Sequence, residues 1–232
     1  MANSVFEAPL LGSQPIANFF VPDTVQRHPL GTIVEANVPY YGGGEYIYLK
    51  TGETSDNARI WAWNAAYISV LNPITANLAW AIAINPQPVI VDTYSWYQIS
   101  GNSPIATTST IAAGSPVGYS AAVAGSAAPV SAGHQILSMI SAAASSNTLA
   151  KQANTQLGST RLKLYNTDGL VKGLALSGTG IPGGTTIVSI NDDDTIVMSN
   201  AATATGSILL LAVFTGFIVG TYDRPKLQGQ IT

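Results

Sequence analysis

The sequence predicts an all-β protein: a β-barrel or sandwich-like core domain with an extended N-terminal arm and an inserted small β-sandwich-like module. Three observations predict it. Short β-rich runs recur along most of the 232 residues, separated by turn-forming residues. Residues Thr185 to Asn200, TTIVSINDDDTIVMSN, spell a β-hairpin: Thr185–Ile190 and Thr195–Ser199 flank a polar bend of Asn191, Asp192, Asp193 and Asp194. Hydrophobic residues make up 47% of the chain, enough for a sizeable core, while charged residues make up only 9%, far below the roughly 25% of an average soluble domain.

Residues 1–30 carry Pro9, Pro15, Pro22 and Pro29, with Phe6, Leu10, Leu11, Phe19 and Phe20 between them. Prolines at this spacing interrupt helices and ladder bonds, so an extended arm is expected. An arm this apolar should lie on its own domain or on a neighbouring subunit, and those five side chains are the candidate contacts. From Leu30 the character changes. Thr32–Ala36, Glu45–Lys50, Arg59–Trp63, Tyr67–Leu71, Ala79–Ile84, Val89–Val91, Tyr94–Ile99, Thr107–Ile111 and Val117–Ala122 read as strands. Asn72-Pro73, Asn85-Pro86, Gly101-Asn102-Ser103-Pro104 and Gly114-Ser115-Pro116 read as the turns between them.

The Ala- and Ser-rich stretch 121–150 is less legible. Ile136, Met139 and Ile140 would share a face of a helical turn, but the surroundings favour a strand over His134–Ser141. Arg161–Tyr165 alternates cleanly and opens the inserted module, which continues through Leu174–Ser177, the hairpin and Ser207–Phe214. The expected organisation is an arm over 1–30, a core over 31–154 plus 217–232, and a module over 155–216. The last segment is too short to fold alone and should rejoin the core.

Composition and motifs exclude several functions. A net charge of −3 with scattered cations leaves no electrostatic footprint for nucleic acid. The absence of cysteine removes disulfides, thiolate zinc sites and cysteine nucleophiles together. The N-terminus lacks the basic start and apolar run of a secretory signal. The most hydrophobic window, Ile208–Val219, is shorter than the ~20 residues of a spanning helix, so no membrane partner is expected.

Gly178, Gly180 and Gly183 match G-x-G-x-x-G, but Pro182 and a β-branched run follow where a dinucleotide site needs a helix. Gly42-Gly43-Gly44 lacks the lysine of a phosphate loop and reads as a bend between strands. Its neighbours Tyr40, Tyr41, Tyr46 and Tyr48 suit sugar stacking or simple half-buried strands. Asp192 to Asp194 lack the frame of a calcium loop and read as a solvated tip. His28 and His134 have no metal spacing, and no G-x-S-x-G elbow is present. Trp61, Trp63, Trp80 and Trp96 all fall in the core domain, as packing or intersubunit residues. No catalytic residue, cofactor or metal ligand is nominated.

Three blocks carry a resemblance: PLGTIVEANVPYYGGGEYIYLK (Pro29–Lys50), WYQISGN (Trp96–Asn102) and DRPKLQGQIT (Asp223–Thr232). They resemble the small decoration, or cement, proteins that cap the capsids of tailed bacteriophages. The module with SGTGIPGGTTIVSI and MSNAATATG is similar to small β repeats of phage virion proteins. The resemblance implies a non-enzymatic virion protein, made in the host cytoplasm, that binds the outer surface of a shell of major capsid protein, commonly as a homotrimer. The alternative is a receptor-binding fibre or adhesin component with a glycan contact through the inserted module.

Overall fold

The computed structural model describes residues 5–6, 21–38, 40–143, 148–192, 194–214 and 216–227, with the backbone alone for 5, 6, 226 and 227. Among the described residues every regular element is a strand. In chain order these are β1 (Val5–Phe6), β2 (Ile33–Val38), β3 (Gly42–Thr51), β4 (Ile60–Trp63), β5 (Ile68–Leu71) and β6 (Ile82–Ile84). There follow β7 (Tyr94–Gln98), β8 (Ser100–Ala106), β9 (Pro116–Tyr119), β10 (Ala127–Pro129), β11 (Gln135–Ala143) and β12 (Thr148–Thr155). The last six are β13 (Arg161–Leu164), β14 (Ala175–Ser177), β15 (Ile187–Ile190), β16 (Thr195–Met198), β17 (Gly206–Val213) and β18 (Phe217–Leu227). The chain divides into two compact units: a core unit, Ser4–Ser145 with Ile218–Thr232, and an inserted unit, Ser146–Phe217.

In the core unit the first sheet has the order β1-β2-β3-β5-β4-β6-β7, and β7 pairs back onto β3 from Tyr46↔Gln98 to Lys50↔Tyr94. Strands β3, β5, β4, β6 and β7 therefore close into a small barrel. The length of β3 makes this possible. Its first part pairs with β2, its end meets β5 in parallel at Lys50 and Thr51, and β7 takes the opposite edge.

Period-two alternation on β3 and β7 sends Ile47, Leu49 and Tyr97 inward, where they meet Trp61, Ala83 and Val89. The other faces of β4 and β6 are buried too. Ile60, Ala62, Ile82 and Ile84 pack against Ile105, Val117, Tyr119, Ile136, Met139, Ile218 and Tyr222 of a second sheet. Each buried Ile, Val or Met among them stabilises the fold by about 1.5–3 kcal/mol relative to exposure.

The second sheet runs β10-β9-β11-β18-β8, and a bridge between Thr107 and Ala127 brings its two ends together. The structure differs here from the expected punctuation. Residues Gly101-Asn102-Ser103-Pro104, which read as a turn, lie inside β8. Pro104 is tolerated because β8 is the last strand of its sheet, where a missing N–H breaks no ladder. Val89–Val91 and Thr107–Ile111 are not strands; Val89 and Thr107 form single bridges to Ser55 and Ala127. In β11, Ser138 takes a left-handed φ of 62° at a register shift between Leu137 and Met139. That irregularity lets Ile136 and Met139, three residues apart, both face the core. The spacing that suggested a helical turn is a kinked strand.

The inserted unit is one sheet, β14-β17-β12-β13-β16-β15, that curls until Ala175 bridges Thr186 beside β15. Leu162, Leu164, Leu176, Ile187, Ile196, Met198, Leu210 and Ala212 are buried along its strands. This unit begins earlier than the expected residue 155. All eight residues of β12 pair with β17, from Thr148↔Val213 to Thr155↔Gly206, so β12 belongs here. Its sequence, TLAKQANT, has few β-branched residues and hid the strand.

Where it is described, the expected arm lies on its own unit. Asp23 and Tyr94 exchange two backbone hydrogen bonds of 2.8 Å, which fixes the second part of 1–30 onto the core unit's own barrel.

Candidate functional site

The three blocks that carry the resemblance meet at one place in the core unit. Gly44 on β3 passes so close to β8 that a Cβ there would collide with the Ser100 carbonyl oxygen. Gly101, with φ +103°, passes equally close to the Gly43 carbonyl oxygen. Only glycine allows both approaches. The triple glycine is thus a crossing of two backbones, with Gly42 at φ +87° making the turn into β3.

Polar side chains bind the crossing together. Gln98 Nε2 donates to the Ser100 and Asn102 carbonyls at 2.9 and 3.1 Å. Asn102 Nδ2 donates to the Tyr41 carbonyl at 3.2 Å, and its Oδ1 accepts from Thr221 Oγ1 at 2.6 Å. The third block enters through Arg224 of β18. Its backbone N–H donates to the Ile99 carbonyl at 2.7 Å, with a left-handed φ of 40°. Its guanidinium grips Glu45 through two hydrogen bonds, Nη2 to Oε1 at 2.7 Å and Nε to Oε2 at 3.0 Å. This bidentate hydrogen bonding holds the Glu45 carboxyl below its ordinary range, and the same bonds raise Arg224. Buried Tyr41, Tyr46 and Tyr222 carry phenols pushed upward by desolvation.

The bonds of this junction tie three stretches of the chain together. Both carboxylate oxygens of Glu45 are committed to Arg224, and the amides of Gln98 and Asn102 satisfy backbone groups. It locks the returning strand β18 to β3 and β8, across a sequence gap of 179 residues between Glu45 and Arg224.

A second feature is the outward aromatic face of the barrel, where Tyr46, Tyr48 and Trp96 pack with Val34 and Ala36. His28 lies 5.2 Å from the Tyr48 ring and 5.3 Å from Trp96, and burial there lowers its pKa. The Arg27 N–H donates to Tyr48 Oη at 3.3 Å. Arg27, His28 and Leu30 pack on this face; Tyr46 and Tyr48 are buried, and Tyr40 is exposed. Exposed apolar side chains flank the Asp23–Tyr94 pairing: Val21 and Val25 on one segment, Ile90 and Val91 on the other, with Val25 66% and Ile90 57% exposed.

Of the five candidate contact residues, Phe6 belongs to β1, whose backbone pairs Val5↔Asn37 and Phe6↔Ala36. Leu10, Leu11, Phe19 and Phe20 lie outside the described residues. His134 sits between two carbonyls, with Nδ1 3.0 Å from Ala132 O and Nε2 3.0 Å from Ile74 O. Gly178, Gly180 and Gly183 form the turn before β15, with Ile181 N–H bonded to Gly178 O at 3.1 Å. Asp194 pairs with Lys163 at 3.2 Å and accepts from Thr195 Oγ1 at 2.8 Å. Among the described residues no cluster of three metal-ligating side chains occurs.

The sequence reading missed Gln98, Asn102, Thr221, Glu45 and Arg224 as a set. One signal for it was present: in a chain with so few charges, Glu45 and Arg224 each stand inside a resembling block. No family model, curated protein or solved structure matches this chain.

Proposed function

We propose that the protein is a non-enzymatic structural component of a tailed-phage virion that binds the outside of the capsid and stabilises the shell. The observation that carries this reading is the convergence of the three resembling blocks on one fold-closing junction. They act as parts of a scaffold, as structural signatures of a coat protein would. The low charge and the exposed apolar residues Val21, Val25, Ile90 and Val91 support it, because such a surface suits burial against other subunits. The partners in this reading are the major capsid protein and sister copies in a homotrimer. A standard interface of ~800 Å² per partner, repeated by symmetry, converts weak contacts into avid attachment.

The test uses purified chain and capsids that lack it. Co-sedimentation at near-stoichiometric ratio, with a raised temperature of shell rupture, is the expected result. Removing residues 1–20 should weaken attachment at least tenfold while the core unit stays folded. Failure of the intact chain to co-sediment would overturn the reading.

A further inference from the structure

We infer that Ser146–Phe217 is a self-contained folding unit spliced into the tip of a two-stranded β-hairpin, and that the core unit folds whether or not the insert is folded. Two pairings carry this. On the core side, the last pair of β11 and β18 is Ala143↔Val219. On the inserted side, the first pair of β12 and β17 is Thr148↔Val213. Directly opposed residues of an antiparallel pair stand about 4.5–5.5 Å apart. The chain therefore leaves the core and returns to it through neighbouring positions, and enters and leaves the insert in the same way.

Adjacent antiparallel strands are ordinarily joined by about two to five residues. Strands β11 and β18 are such a pair, and a short turn in place of the insert would complete their hairpin. The insert in turn bends nearly closed through Ala175↔Thr186 and buries its own row of side chains. Among the described residues, the hydrophobic clusters around Ile60 and Ile84, around Trp61 and Tyr97, and around Tyr48 and Trp96 draw every member from Ser4–Ser145 or Ile218–Thr232. Resting on the function proposed above, shell attachment then belongs to the core unit, and the insert is free to carry a separate role.

The chain supplies its own probe. All four tryptophans, Trp61, Trp63, Trp80 and Trp96, lie in the core unit, so tryptophan fluorescence reads that unit alone. The experiment compares full-length wild type, Leu210→Ala in the insert and Ile84→Ala in the core. Urea melts are followed by fluorescence, and hydrogen exchange is followed by peptide. Leu210→Ala should accelerate exchange at least tenfold in 148–213 while leaving the fluorescence midpoint and exchange in 33–143 unchanged. Ile84→Ala should do the reverse. If Leu210→Ala proves too mild, Leu210→Asp must still leave the fluorescence transition in place.

A fluorescence midpoint that falls with either Leu210 variant overturns the inference. The same variants, added to capsids, separate the two proposals. Loss of attachment by Leu210→Ala with an intact core overturns the assignment of attachment to the core. Loss by the wild-type chain overturns the proposed function and leaves the folding result standing.

Discussion

In the core unit, β4 and β6 are buried on both faces: Trp61 and Ala83 point into the five-stranded barrel, while Ile60, Ala62, Ile82 and Ile84 point into the cluster shared with the second sheet. In the inserted unit, β13 alternates strictly between exposed and buried positions, and β17 buries Ile208, Leu210 and Ala212 while leaving Leu209 exposed. The difference is one of layers. A barrel that also serves as a wall for a second sheet must bury both sides of its shared strands, whereas a single curled sheet buries only its inner face. The core unit is accordingly the more interdependent of the two, and its backbone crossings leave less room for change.

Substitutions can break this comparison, beginning with the largest effect. Trp61→Ala empties the middle of the closed barrel and should cost about 3–5 kcal/mol, read from urea melts using the three remaining tryptophans. Leu210→Ala removes a fully buried side chain from the insert and should cost about 2–5 kcal/mol. That loss should appear in exchange of 148–213 and leave the fluorescence transition unmoved.

Glycines sharpen the contrast. Gly44→Ala forces a Cβ into the Ser100 carbonyl and should destabilise the core by about 1–3 kcal/mol. Gly183→Ala meets nothing within 4 Å and should change stability by less than about 0.5 kcal/mol. Equal effects at the two sites would contradict the crossing.

The smallest effect concerns acid. Arg224 depresses the Glu45 pKa, so its stabilisation is present above the unfolded carboxylate value of about 4.3 and is lost as pH falls through the lower folded value. The wild-type fluorescence midpoint should therefore fall more steeply across that window than the midpoint of Glu45→Gln. Parallel curves would show that the pair contributes nothing measurable.

The same contrast explains what could be read in advance. Strands with one wet face announce themselves, and RLKL and TIVM in the insert were legible for that reason. IWAW was legible as an apolar run, though its division between two cores was not, because burial on both faces erases alternation. TLAKQANT was missed because its pairing with β17, rather than its own propensity, makes it a strand. Gly101 to Pro104 misled because turn-forming residues also serve where one backbone crosses another at a sheet edge. The junction itself was beyond local reading: Glu45 and Arg224 meet only after the chain has returned from the insert.

The most direct test of the account is the number of copies of this chain per copy of major capsid protein in purified particles. A capsid-stabilising role as proposed requires a near-stoichiometric ratio. A few copies per particle would contradict it and point to a fibre or vertex component, and complete absence would remove the virion assignment altogether.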